Sequence, residues 1–186
     1  YIPKGKTTAI VGASGSGKTT LMKLLLKFYQ PTDGDIFIEN LQLNNISAKK
    51  WRNKIGTVMQ EGYIFSDTVE RNIATSDEDI DEGKLKYAIK TSNLMDFIEE
   101  LPNGLKTKIG ASGNGISGGQ KQRILIARAV YKNPDFIFFD EATSALDTEN
   151  ERIIMNNINS FIKNRTAVII AHRLSTVKNA DQIVVL

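Results

Sequence analysis

Two short glycine-containing segments and one pair of carboxylates carry the chemistry this chain can do. Gly12-Ala13-Ser14-Gly15-Ser16-Gly17-Lys18-Thr19, followed by Thr20, has the spacing G-x-x-x-x-G-K-[ST]. Glycines so placed let successive backbone N–H groups turn inward around an anion. A helix beginning at Lys18 would aim its positive end, roughly half a unit charge, at the same point. The Lys18 ammonium can reach the β- and γ-phosphates of a nucleoside triphosphate, and the Thr19 hydroxyl can ligate Mg²⁺. Asp140 and Glu141 close the apolar run Phe136-Ile137-Phe138-Phe139. Asp140 is suited to the Mg²⁺ shell, and Glu141 to orienting or deprotonating an attacking water. Ser117-Gly118-Gly119-Gln120, after Ile116, is a second anion element: two glycines and a hydroxyl at a helix start. Ser117 is also a good N-cap. One triphosphate does not need both loops. The simplest arrangement is that they serve different nucleotides, each site being completed by a second copy of the chain. His172, the single histidine, can donate to a γ-phosphate from a strand end.

These groups need a scaffold that brings loop ends together. Residues 7–11 read as a buried strand, and 18–29 as a largely buried helix with Pro31 just beyond it. A strand is expected at 35–38, a short helix capped by Ser47 and running through Arg52, and a strand at 55–59. The character then changes: 68–74, 83–92 and 94–101 read as helical pieces, 111–119 is glycine-rich, and 120–131 is a helix. After Asn133-Pro134 the β rhythm returns, with strands at 136–139, 166–171 and 182–186 and helices at 150–162 and 175–179. Strands alternating with helices predict an α/β fold, a P-loop NTPase parallel-sheet core with an inserted α-helical sub-domain. The core is expected from 1–61 and 134–186, and the insertion from 62–133. Loop, acids and histidine would then meet at the carboxyl edge of the sheet, where such folds collect ligands.

Composition narrows the class. The 186 residues suit one domain, or one domain with a sub-domain, and 41% hydrophobic with 24% charged is ordinary for a globular chain. No apolar run approaches the ~20 residues of a membrane-spanning helix. Cysteine is absent, which excludes a disulfide framework and a cysteine metal site. The net charge is +3, but the lysines are scattered, so no nucleic-acid partner is expected. There is no Asn-Lys-x-Asp guanine-reading segment. Tyr1 lies shortly before a strand and the last residues lie within one, so a piece of a longer polypeptide is expected.

Together these motifs resemble the nucleotide-binding domain of ATP-binding cassette (ABC) transporters over almost the whole chain. Residues 12–19 are similar to the family's first loop, Gln60 to its glutamine loop and Ile116 to Gln120 to its signature, with Ile for the usual Leu. Residues 136–141 are similar to its acidic strand, Ser144-Ala145-Leu146-Asp147 to its partner-contacting loop and His172 to its switch histidine. The resemblance implies a Mg²⁺-dependent ATPase in which Ser117, Gly118, Gly119 and Gln120 grip the ATP held by a second nucleotide-binding domain, a homodimer being expected. It implies that Gln60 contacts Mg²⁺ or the lytic water, that Asp147 touches the partner and that His172 positions the γ-phosphate. The nucleotide set would be Gly12, Ser14, Gly15, Ser16, Gly17, Lys18, Thr19 and Thr20, and the metal set Thr19, Gln60 and Asp140. A transmembrane domain upstream in the same polypeptide and a place on the cytoplasmic face of a bacterial inner membrane are implied as well. Gln60-Glu61 followed by residues 65–73 resembles exporters, and 110–115 resembles bacterial peptide and bacteriocin exporters, so a peptide or lipid-like cargo is expected. Two departures stand out. Residues 107–113 hold no carboxylate where exporters usually carry one, and Tyr1 is too close to Gly12 to be the family's adenine-stacking aromatic, which predicts weak nucleotide binding. The alternatives are a non-transport cassette ATPase of DNA repair or translation, and a non-catalytic nucleotide-binding regulator.

Overall fold

Five apolar segments pair in parallel to form the sheet on which everything else is hung. In a computed structural model that describes residues 1–75, 77–111, 113, 115–140, 146, 148–171 and 177–186, they are β1 (Thr7–Val11), β4 (Ile55–Val58), β7 (Phe136–Asp140), β8 (Thr166–Ile170) and β9 (Gln182–Val185), in the order β4-β7-β8-β1-β9. Every pairing is parallel. The strand that ends in the acid and the strand that leads into the glycine loop are thus separated by one strand, β8. Parallel strands buried on both faces are continuous apolar runs, as Phe136 to Phe139 and Thr166 to Ile170 are.

The pleat sends alternate residues to opposite faces. On β7, Ile137 and Phe139 join one apolar cluster, and Phe138 joins another with Phe136 packed against it. The register carries this across the sheet: Ile137 pairs with Ala167 and Phe139 with Ile169 on the first face, Phe138 with Val168 on the second. Helices α1 (Lys18–Leu25) and α2 (Ala48–Lys54) cover the second face through Met22 and Trp51, with Leu26, just past the end of α1, in the same cluster. The first face is covered by α4 (Glu82–Thr91), α6 (Gly118–Tyr131) and α7 (Thr148–Ile162), with α3 (Val69–Ile73) and α5 (Met95–Glu99) packed into the same cluster. The helices of 62–133 therefore share a continuous core with the sheet.

Trp51 anchors the second face. Its ring centroid lies 5.1 Å from that of Phe136 and 6.5 Å from that of Phe138, and its Nε1–H donates to the Leu25 carbonyl at 3.0 Å. Trp51→Ala is expected to destabilise the fold by about 3–5 kcal/mol, read as a lower urea midpoint with little change in the slope.

Three expectations need correction. The helix expected over 18–29 ends at Leu25, because Lys27 turns left-handed (φ 63°) and its ammonium is recruited by the carbonyls of Leu43, Asn44 and Ile46. Phe28 and Tyr29 are consequently exposed. The strand expected at 35–38 shrinks to β2 (Phe37–Ile38), which folds back on β3 (Leu41–Gln42) as a hairpin apart from the main sheet. Its two-residue turn puts Glu39 at φ 53°, without the Asn-Gly or Asp-Gly pair that would have signalled it. Ser47 stands at the N-cap of α2, but its side chain makes no capping bond. A further two-stranded antiparallel sheet pairs β5 (Asp67–Thr68) with β6 (Lys108–Ile109), a pairing across 40 residues that local pattern cannot reveal.

Candidate nucleotide site

Because all five strands are parallel, the loops that follow β1, β4, β7 and β8 leave the sheet at one edge. The glycine loop follows β1, Gln60 follows β4, Asp140 ends β7, and Ala171 follows β8 with its amide on the Ile10 carbonyl. Glu141, Asp147 and His172 lie outside the described residues.

The glycine loop has the backbone its sequence demands. Gly15 and Gly17 adopt φ 79° and 96° with open space where a Cβ would stand, so conformation and not crowding calls for glycine there. Gly17 is the N-cap of α1, so the first free N–H groups of that helix face the loop. Gly12 is a matter of packing: a Cβ there would lie 2.4 Å from the Leu186 carbonyl oxygen and 2.8 Å from Ser16 Oγ. Lys18 is buried, its Nζ donating to the carbonyls of Gly12 at 3.0 Å and Ala13 at 2.8 Å. The ammonium is thus held across the loop, on a stem long enough to exchange these carbonyls for phosphate oxygens. Ser14, Thr19 and Thr20 are exposed at the loop and the first turn.

Thr19 Oγ1 donates to Asp140 Oδ2 at 3.3 Å, and Asp140 is buried at 2% exposure. This contact ties the first turn of α1 to the end of β7. Two observations test the fit of a magnesium nucleotide. Ser16 Oγ is buried with no hydrogen-bond partner among the described residues, an arrangement costing about 1–3 kcal/mol that a phosphate oxygen would relieve. The hydroxyl and carboxylate pair is the hard-oxygen donor set Mg²⁺ takes, and no group of three or more His, Cys, Asp or Glu suited to a metal occurs among the described residues. A cation here would draw its other ligands from phosphate and water, as Mg²⁺ does. The residues present fit the group.

Ser117 heads α6 with a full capping box: its Oγ accepts from the Gln120 amide at 3.1 Å, and Gln120 Oε1 accepts from the Ser117 amide at 2.8 Å. The Gln120 side chain is thereby committed to the helix end, and Ser117 and Gly118 are exposed there. Since α6 packs on one face of the sheet and α1 on the other, the two anion elements of one chain are carried on opposite faces. Gln60 sits exposed in the turn after β4, beside the strand of Asp140.

Sequence reasoning missed what fixes the chain just beyond Gln60. Asn72 is fully buried. Its Oδ1 accepts from the Phe65 amide (2.8 Å), and its Nδ2 donates to the carbonyls of Phe65 (2.9 Å) and Thr68 (3.0 Å). Arg128 donates through Nε to the Asn72 carbonyl (2.8 Å) and through Nη1 to that of Tyr63 (3.0 Å), with its guanidinium 5.3 Å from the Phe65 ring centroid. Burial lowers the Arg128 pKa from its ordinary value. A wholly buried Asn and a half-buried Arg break the apolar pattern of their helices, and that break was the signal available. Tyr63 and Phe65 are exposed.

A parallel sheet with β8 between loop strand and acid strand, helices on both faces and a lysine loop joined to a buried aspartate defines the P-loop NTPase fold. A family model described as ABC transporter matches residues 1–144, and the chain belongs to that family. An ATP-dependent lipid A-core flippase of Chromobacterium violaceum is 48% identical over 185 residues, covering 100% of this chain and 32% of the flippase. ABC transporter B family member 16 of Arabidopsis thaliana is 47% identical, over 100% of this chain and 15% of that protein. The solved structure of a bacterial Atm1-family ABC exporter with ATP bound superposes with a TM-score of 0.92 at 41% identity, over 98% of this chain and 32% of that one. The chain spans about a third or less of the length of these relatives. Among its described residues, no helix is long and apolar enough to cross a membrane.

Proposed function

We propose that this chain is the Mg²⁺-dependent ATPase domain of an ABC exporter, pairing head to tail with a second such domain so that each ATP lies between the loop of one and Ser117 of the other. The observation that carries the reading is the opposition of the two anion elements: Lys18, Thr19 and Asp140 cluster at the sheet edge, while Ser117 heads a helix on the other face. A C₂ pair of such chains builds two equivalent sites. Gly12, Ser14, Gly15, Ser16, Gly17, Lys18, Thr19 and Thr20 bind the triphosphate, Ser16 Oγ and the loop amides donating to its oxygens. Thr19, Asp140 and Gln60 would hold the metal, which would supply positive charge to the triphosphate. Glu141 takes a proton from the attacking water, His172 donates to the γ-phosphate, and Asp147 touches the partner.

Residues 1–61 and 134–186 act as the nucleotide-binding core, and 62–133 as the part that moves when the γ-phosphate leaves, hinged at Gln60. A transmembrane domain in the same polypeptide receives that movement across the exposed Tyr63 and Phe65, which puts the chain on the cytoplasmic face of the membrane. The flippase relative supports the lipid-like half of the cargo expectation. The peptide reading, which rested on residues 110–115, draws no support from the relatives named above, and those same relatives favour transport over repair, translation or mere regulation.

Glu141→Gln in the full-length protein is expected to lower ATP turnover by about 100-fold or more and to leave an ATP-bound pair that gel filtration detects. Turnover at the unmodified rate would remove Glu141 from the role of base.

A further inference from the structure

Helix α4 closes on an asparagine where glycine would serve. Asn93, just past its end, is left-handed at φ 53°. The Leu94 amide donates to the Ile89 carbonyl at 3.1 Å, and the Asn93 amide to that of Lys90 at 3.3 Å. This pair of bonds ends a helix on a left-handed residue, and glycine is the usual occupant. Leu94 is fully buried and seals the helix end against the core. What glycine lacks is a side chain, and that of Asn93 reaches away from α4. Its Nδ2 donates at 2.9 Å to Oδ1 of Asn150, in the first turn of α7.

Arg123, on α6, meets the same two residues. Its Nη1 donates to the Asn93 carbonyl at 2.8 Å and lies 3.5 Å from Asn150 Oδ1. Its Nε is buried with no hydrogen-bond partner among the described residues, so the guanidinium holds this place against an unmade bond. A second amide joins α7 to α4: Asn157 Nδ2 donates to the Thr91 carbonyl at 3.1 Å. Around these bonds the three helices share an apolar cluster, through Ala88 and Ile89 on α4, Ile124 on α6, and Ile154 and Ile158 on α7. Apolar contact is non-directional. Hydrogen bonds of fixed length and angle decide which residue faces which. Arg123 stands six residues after Ser117, and Asn150 three after Asp147. The polar junction thus joins the two helices whose leading segments are the proposed partner contacts.

We propose that Asn93 is a positioning residue: with Arg123 and Asn150 it fixes the register of α6 against α7 and so holds Ser117 where the partner's ATP requires it. This rests on the reading of Ser117 as half of the partner's site, and it names what holds that half in place. Asn93 acts through the two helices and not on the nucleotide. A misplacement of about 1 Å in a group that orients a reacting phosphate is enough to slow turnover by up to about 100-fold. The loop around Lys18 is carried on the other face of the sheet and is left as it is.

Asn93→Gly in the full-length protein separates this role from a merely structural one. Glycine adopts the left-handed backbone freely, so the melting temperature should change little. The kcat for ATP should nevertheless fall about tenfold, with KM within about twofold, the pattern of an interaction lost from the transition state. Asn150→Ala should give the same loss, and the double variant no more than either alone. Asn150→Asp keeps an acceptor for Asn93 and Arg123 and should retain most of the turnover. If Asn93→Gly lowers the melting temperature, the contrast between Asn150→Ala and Asn150→Asp decides the matter. An unchanged kcat in Asn93→Gly, a defect confined to KM, or equal losses in the two Asn150 variants overturns the inference and leaves the ATPase reading intact. No ATP turnover by the unmodified protein removes both.

Discussion

Replacing Lys18 by methionine is expected to lower ATP turnover by about 100- to 1,000-fold while the protein remains folded. The methionine keeps an apolar stem of similar length and removes the charge. In the folded chain that charge holds the carbonyls of Gly12 and Ala13, two hydrogen bonds whose loss costs about 1.5–3 kcal/mol each at most. A domain of this size absorbs such a loss and still melts cooperatively. Turnover is far more sensitive, because Lys18 is buried and is the cation the loop can offer to the β- and γ-oxygens, where charge changes as the bond breaks. Stopped-flow ATP turnover compared with a urea titration separates the two effects. A variant that unfolds, or one that turns over ATP normally, would contradict the assignment.

Ser117→Arg is expected to have an effect of similar size on turnover by a different route. Within one chain Ser117 is a helix cap, and losing its bond to the Gln120 amide costs about 0.5–2 kcal/mol. It is also exposed at the tip of α6, which packs on the sheet face away from α1. An arginine there leaves the loop around Lys18 untouched. Binding of ATP to the single chain should therefore persist, whereas ATP-driven pairing and turnover should fall by about 100-fold. If ATP affinity of the unpaired chain falls along with turnover, Ser117 acts within its own chain.

Much of the site was legible because its signals are local. The run Phe136 to Phe139 ending in Asp140 is a buried parallel strand by composition alone, and it lies where the sequence put it, one residue longer. The loop of residues 12–19 is a turn between strand and helix because its glycines and lysine permit little else. The end of α1 was not legible: the apolar spacing continues through Phe28, while the stop comes from Lys27 reaching carbonyls 16 to 19 residues away. Nor was the pairing of Asp67–Thr68 with Lys108–Ile109, since strands of two residues have no periodicity. The separation of the two anion elements onto opposite faces depends on strand register and became visible only with the sheet. Arg128 falls within the helix expected over 120–131, and its hold on Tyr63 and Phe65 could not be anticipated because its partners lie 56 to 65 residues away.

The central claim is that a working site takes its loop from one chain and its Ser117 from another. Its most direct measurement is ATP turnover by full-length Lys18→Met and Ser117→Arg proteins, alone and co-assembled. Each variant alone has a defect in both of its sites and should be inactive. Co-assembly yields mixed pairs in which one site has two defects and the other has none, so turnover should reappear at about a quarter of the unmodified rate, half the pairs carrying one of two sites. If loop and signature instead served one nucleotide within a single chain, every site in the mixture would carry a defect and turnover would stay at the level of the separate variants.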